Sequence, residues 1–139
     1  MREFVLDASV ALAWYVDDPE PAYAIRVRRA LEAGSRAIVP PLWALEMANG
    51  LSMAERRGKL TVEQVDGGLH QLEKLTMSAI KVESETTTVR EALAGSRASR
   101  LTAYDAVYLE FARRRGLSLA TLDAALRAAA EKAGVGVMT

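Results

Sequence analysis

Phe4-Val5-Leu6-Asp7-Ala8-Ser9 is the stretch that decides how the rest of the chain is read. Three apolar residues end in a carboxylate and two small residues, and an apolar run from Val10 to Val16 follows. A short, continuously apolar run fits a strand buried on both faces, as in a parallel sheet. Asp7 then stands where that strand hands over to a helix. In open parallel sheets, ligands sit outside the carboxyl ends of the strands, so an acid at this junction is where sites are built. A simpler role is open too, because aspartate is a good N-cap for a helix starting at Ala8.

The same alternation continues along the chain. Arg36 to Val39, Ala79 to Val82 and Leu117 to Leu122 are further short strand candidates, with Gly136 to Met138 as an edge strand. Helices are expected over Ala8 to Val16, Ala22 to Ala33, Leu42 to Arg57, Thr88 to Ser99, Thr102 to Arg115 and Asp123 to Ala133. Gly34, Gly58 and Gly116 stop three of them. Another helix begins at Thr61, where Gln64 completes a capping box. Its stripe of Val62, Val65, Leu69, Leu72 and Leu75 has helical spacing and reads as a core face. Short apolar strands alternating with helices imply an α/β fold, a parallel sheet covered on both faces.

The chain has 139 residues, which fits one domain over 1–139. It has no cysteine and a single histidine, His70. Disulfides, thiolate nucleophiles and most histidine-based metal sites are thereby excluded. His70 itself reads as a surface or packing residue. Net charge is zero, so any nucleic-acid contact must be a local patch. Ala37 to Ala54 carries one charge, Glu46, but Pro40, Pro41, Asn49 and Gly50 interrupt it. A spanning helix needs ~20 predominantly apolar residues, so this stretch reads as core. Asp7 breaks the first apolar run too early for a signal peptide. The expected address is the cytoplasm, with no membrane partner.

Four acids stand apart from the polar surface. Asp7 is the first. Glu46 has Leu42, Trp43, Asn49 and Gly50 as its helical neighbours, an unusual face for a residue almost never buried without a partner. Asp105 lies in the first turn of the helix that Thr102 would cap, and capping-box spacing gives it a structural explanation as well. Asp123 follows the fourth strand as Asp7 follows the first. It too could be an N-cap, but two strand-end aspartates in a small parallel sheet come close together.

Gathered carboxylates repel one another unless protonated or bridged by a cation. An all-oxygen set favours hard ions, Mg²⁺ or Mn²⁺, which suit phosphodiester hydrolysis without a histidine base. Ser9 and Thr121, each two residues from an aspartate, are candidate supporting hydroxyls. Ordinary helix-start residues are the equally simple reading of both.

Asp7 in Val-Leu-Asp-Ala-Ser, Glu46 in Leu-Trp-Ala-Leu-Glu-Met-Ala-Asn, Asp105 in Leu-Thr-Ala-Tyr-Asp-Ala-Val-Tyr and Asp123 in Leu-Ala-Thr-Leu-Asp resemble the four acidic motifs of PIN-domain ribonucleases. Within that family the sequence is most similar to the VapC-type toxins of toxin–antitoxin pairs. The resemblance implies a three-layer α/β/α sandwich around a central, mainly parallel sheet of four or five short strands. It also implies a Mg²⁺- or Mn²⁺-dependent endoribonuclease in which Asp7, Glu46, Asp105 and Asp123 are both metal-ligating and catalytic. RNA would be the substrate, a small cognate antitoxin the protein partner, and a homodimer the assembly. The segment from Thr61 to Ser99 carries no motif of the family.

Basic clusters at Arg26, Arg28 and Arg29, at Arg56, Arg57 and Lys59, and at Arg113 to Arg115 are candidate phosphate contacts. Most read more simply as solvated helix faces or partners of a helix C-terminus. Trp14, Tyr15 and Trp43 offer a stacking or partner surface, with core packing the better role for Trp43. A receiver domain would need a lysine after a late strand, and a haloacid-dehalogenase-like phosphatase a second aspartate at position 9. The sequence supplies neither. The remaining rival is a non-catalytic protein-binding module in which the acids are helix caps.

Overall fold

The structure, a computed structural model, describes residues 2–139. Four strands, β1 (Glu3–Leu6), β2 (Arg36–Val39), β3 (Ile80–Val82) and β4 (Ser118–Ala120), form one sheet in the order β3-β2-β1-β4. Every pairing is parallel: Val5 lies beside Ile38 on one side and Leu119 on the other. Seven helices accompany them among the described residues: α1 (Ala8–Val16), α2 (Ala22–Glu32), α3 (Leu42–Arg56), α4 (Val62–Ser78), α5 (Val89–Ser99), α6 (Ala103–Arg115) and α7 (Ala124–Lys132). This is the α/β architecture expected from the alternation of short apolar runs with helical ones.

The sheet is the centre of the core. Phe4, Val5 and Leu6 are fully buried, as are Val39, Leu119 and Ala120. Tyr108 and Phe111 from α6 and Leu126 from α7 pack into the same cluster. Trp14 closes the α1–α2 contact by donating its Nε1–H to the Ala24 carbonyl at 2.8 Å. Gly50 lets α3 approach α1 closely, since a Cβ there would stand 2.5 Å from a Leu12 methyl. The strand order places the switch in chain direction between β1 and β4. β2 follows β1 on one side, and the chain returns to β1's other edge only at β4. Such a crevice, at the carboxyl ends of the strands, is where α/β proteins build sites.

Three expectations need adjustment. Gly136 to Met138 contributes only an isolated parallel bridge, Leu119 with Val137, in place of a full edge strand. The Thr61–Gln64 capping box forms, but the apolar stripe on α4 meets the core only toward its C-terminal end, through Leu72 and Leu75. Only Leu72 is buried, and Val62 and Leu69 are 52% and 45% exposed. Periodicity identifies the apolar face of a helix, not whether the fold covers it. The arginines before Gly116 pair with Glu110, Glu83 and Glu85, which makes that triplet an ion-pair network. Trp43 is buried, as its apolar surroundings suggested, and His70 is exposed.

Candidate active site

Asp7 is the structural hub. Its backbone N–H extends the β1–β4 ladder by donating to the Ala120 carbonyl at 3.0 Å. Although Asp7 occupies the N-cap position of α1, its side chain makes no capping hydrogen bond. Instead, Oδ2 accepts from both Ser9 Oγ and Thr121 Oγ1, each at 2.7 Å. Those hydroxyls are themselves held by backbone donors. The Leu122 N–H donates to Ser9 Oγ at 3.0 Å, and the Asp123 N–H donates to Thr121 Oγ1 at 3.0 Å. With a backbone proton already pointing at each oxygen, each hydroxyl turns its own proton to Asp7. No side chain donates to Oδ1 among the described residues. Asp7 is 4% exposed and Thr121 fully buried.

The other acids come from three helix starts. Asp123 is the N-cap of α7, and its Oδ1 accepts from the Leu126 N–H at 2.9 Å. Asp105, in the first turn of α6, donates its backbone N–H to the Thr102 hydroxyl at 3.2 Å. Its carboxylate does not return a bond to the Thr102 backbone, so the box is half-formed. Glu46 lies half-buried one turn into α3, and Tyr108 donates its hydroxyl to Oε1 at 2.6 Å. Asp123 therefore caps its helix, whereas Asp7, Asp105 and Glu46 have no such duty.

Electrostatics ties the four together. Burial pushes Asp7 above the usual carboxylate range. The Ser9 and Thr121 hydroxyls oppose that rise, and the Asp123 charge adds to it. Glu46 is raised chiefly by burial, against its Tyr108 bond, and further by Asp7 and Asp105. Asp105 is raised by burial, then by Asp123 and Asp7. Burial and the Glu46 contact drive the Tyr108 phenol far above its ordinary value, so it remains a proton donor. Asp7 and Asp105 thus both feel the Asp123 charge, and Glu46 feels Asp7 and Asp105. Among the described residues, however, no three acidic or histidine side chains stand in a ready-made coordination shell. Carboxylates without a counter-ion repel one another, and a hard cation can be held with water between it and some ligands.

Surface grooves lie elsewhere. One of about 390 Å³ is lined by Leu109, Arg113 and Ala129 among others, and another of about 450 Å³ by Pro40, Val89 and Tyr104 among others. None of the four acids lines either.

Sequence reasoning did not single out Tyr108 as a partner of Glu46. The available signal was its spacing, three residues after Asp105 on one helix face. Arg127 was missed as well: its Nη2 donates to the Thr121 carbonyl at 3.0 Å, at the edge of the acidic cluster.

The sequence profile of the PIN domain matches residues 4–132. Ribonuclease VapC3 of Pyrobaculum aerophilum is 33% identical over 121 residues, spanning 87% of this chain and 89% of that protein. The crystal structure of PAE2754 from the same organism superposes with a TM-score of 0.67 at 25% identity, covering 91% of this chain and 84% of the other. A domain of a functionally unknown protein from Methanocaldococcus jannaschii superposes with a TM-score of 0.58, covering 99% and 90% of the two chains. At 16% identity it shows the fold alone.

Proposed function

The chain belongs to the PIN domain family, and on that premise we propose that it is a divalent-cation-dependent endoribonuclease, the toxin of a toxin–antitoxin pair. The observation that carries this reading is the state of Asp7. A buried carboxylate has one oxygen fixed by two hydroxyls and the other without a side-chain donor; it feels the Asp123 charge, and its own charge acts on Glu46 and Asp105.

The donor set fits a hard ion, being all carboxylate with no histidine or thiolate nearby. Asp7, Glu46, Asp105 and Asp123 would hold Mg²⁺ or Mn²⁺. Such an ion supplies Lewis-acid polarisation of a phosphate oxygen and water acidic enough to act as nucleophile near neutrality. The chain's own groups do the rest. Ser9 and Thr121 fix the rotamer of Asp7, and Tyr108 fixes Glu46. Asp123 is anchored through Oδ1 to the start of α7, and no donor among the described residues engages its Oδ2. The N-termini of α6 and α7 add their positive dipole ends beside Asp105 and Asp123.

The kinship with a VapC ribonuclease supports RNA as substrate, a small antitoxin as partner and the cytoplasm as address. A homodimer is proposed on the same ground. Among the described residues no helix is long and apolar enough to cross a membrane. The rival reading, a protein-binding module whose acids are caps, is disfavoured by the absence of any capping bond from Asp7.

The test is cleavage of single-stranded RNA in Mn²⁺ or Mg²⁺. EDTA should abolish it, and Asp7→Asn or Asp105→Asn should lower it by at least about 100-fold. Variants that cut as well as the parent would refute the assigned site.

A further inference from the structure

We propose that Arg26 and Arg127, brought together on the ring of Tyr23, form a subsite for a backbone phosphate of the RNA strand beside the acidic cluster. The proposal rests on the ribonuclease reading above and adds a substrate contact to it.

Three elements meet here. Tyr23 begins α2, and its hydroxyl donates to the Met138 carbonyl at 2.6 Å, which fixes the ring. The Arg127 guanidinium, from the first turn of α7, lies 5.1 Å from the ring centroid, and that of Arg26 lies 5.6 Å from it. Arg127 is also tied to the Thr121 carbonyl at 3.0 Å. Thr121 is the residue whose hydroxyl holds Asp7, so one residue links the guanidinium to the acids.

The choice of partners matters. Asp123 and Arg127 have the four-residue spacing that favours an ion pair on a helix. Here they form none: Asp123 Oδ1 goes to the Leu126 N–H and Arg127 turns to the carbonyl and the ring. Asp123 is thereby left for a cation, and the guanidinium for an anion. Arg28, two residues after Arg26, is paired with Glu20 and Glu32. Among the described residues neither Arg26 nor Arg127 has a carboxylate within ion-pair distance. Two like charges gathered on one ring repel unless an anion lies between or beside them. Guanidinium is the side chain best matched to phosphate. The chain has no net charge, so a strand crossing an acidic site needs such a local cationic foothold.

The experiment measures binding of a fluorescein-labelled, random-sequence single-stranded RNA by the full chain in EDTA, by anisotropy across a salt series. Arg26→Gln and Arg127→Gln should each weaken binding by about 3- to 10-fold and flatten the salt slope by roughly 0.7, the value of one phosphate contact on a single strand. Arg127→Lys, which keeps the charge but not the planar stack, should retain the slope. Arg97→Gln, an exposed arginine on α5, is the control for bulk charge and should leave both quantities as in the parent. Thermal melts establish that each variant is folded, and exposed Arg26 gives a result even if Arg127→Gln unfolds the chain. Parent-like binding by Arg26→Gln and Arg127→Gln overturns the subsite while leaving the ribonuclease reading intact. An equal loss in Arg97→Gln also overturns it. A parent chain that binds no RNA removes the ribonuclease reading and the subsite together.

Discussion

Thr121→Val keeps the shape of a fully buried side chain and deletes one hydroxyl, so its effect reads directly on the support of Asp7. Two interactions go. The bond to Asp7 Oδ2 at 2.7 Å is made to an ionisable group, and such bonds contribute about 1.5–3 kcal/mol. The Asp123 N–H loses its acceptor, which costs about 1 kcal/mol at the lower end of the usual range because Asp123 is only half-buried. The sum is about 3 kcal/mol, or a Tm lower by roughly 10 °C for a chain of this size. Urea unfolding in EDTA at neutral pH measures it, with an unchanged m-value as the sign that native compactness is kept. The loss should also depend on pH. The Thr121 hydroxyl favours ionised Asp7, so its deletion is most damaging where the carboxylate is charged. As pH falls and Asp7 takes up its proton, the difference from the parent should shrink. A loss below about 0.5 kcal/mol, or one independent of pH, would refute the assignment of Thr121 as the support of a charged Asp7.

Replacing Asp7 itself should have the opposite sign. Its pKa is raised above 3.8 in the fold, so the native state holds that proton more tightly than the unfolded chain. Stability therefore declines as pH rises from about 4 through the folded titration. In EDTA at neutral pH, Asp7→Asn should melt at the parent's temperature or a few degrees higher, and a large drop would restore a purely structural role. Asp123→Asn should separate capping from ligation, because asparagine caps as well as aspartate: metal-free stability within about 0.5 kcal/mol of the parent, with RNA cleavage lost. Tyr108→Phe should weaken Mn²⁺ affinity by about 10-fold, as expected for a group that orients a ligand. Unchanged affinity, read by calorimetry, would mean that Glu46 needs no such support.

Much of this arrangement was legible in the residues. Phe4 to Leu6 could hardly be anything but a doubly buried strand, and acids after β1 and β4 had to approach once those strands became neighbours. Glu46 stood out because its helical neighbours are apolar or small. What was not legible depends on how helices are rotated and on what covers them. The Tyr108–Glu46 bond joins residues 62 apart in sequence, and no local pattern specifies that α6 and α3 meet there. Asp7 looked equally suited to cap or ligate, and only its two hydroxyl partners separate the roles. The α4 stripe was visible, but exposed Val62 and Leu69 show that an apolar face can remain uncovered in the isolated chain. Arg26 and Arg28 looked alike in sequence, and the positions of Glu20, Glu32 and Tyr23 divide them.

The central claim is that four dispersed carboxylates act as one cation site, and the most direct measurement is calorimetric titration of Mn²⁺ into the parent and into Asp7→Asn, Glu46→Gln, Asp105→Asn and Asp123→Asn. The parent should bind, each variant at least about 10-fold more weakly, and Glu110→Gln, whose carboxylate serves Arg113, should show no loss. A parent that binds no Mn²⁺, or four variants that bind it as the parent does, would contradict that claim.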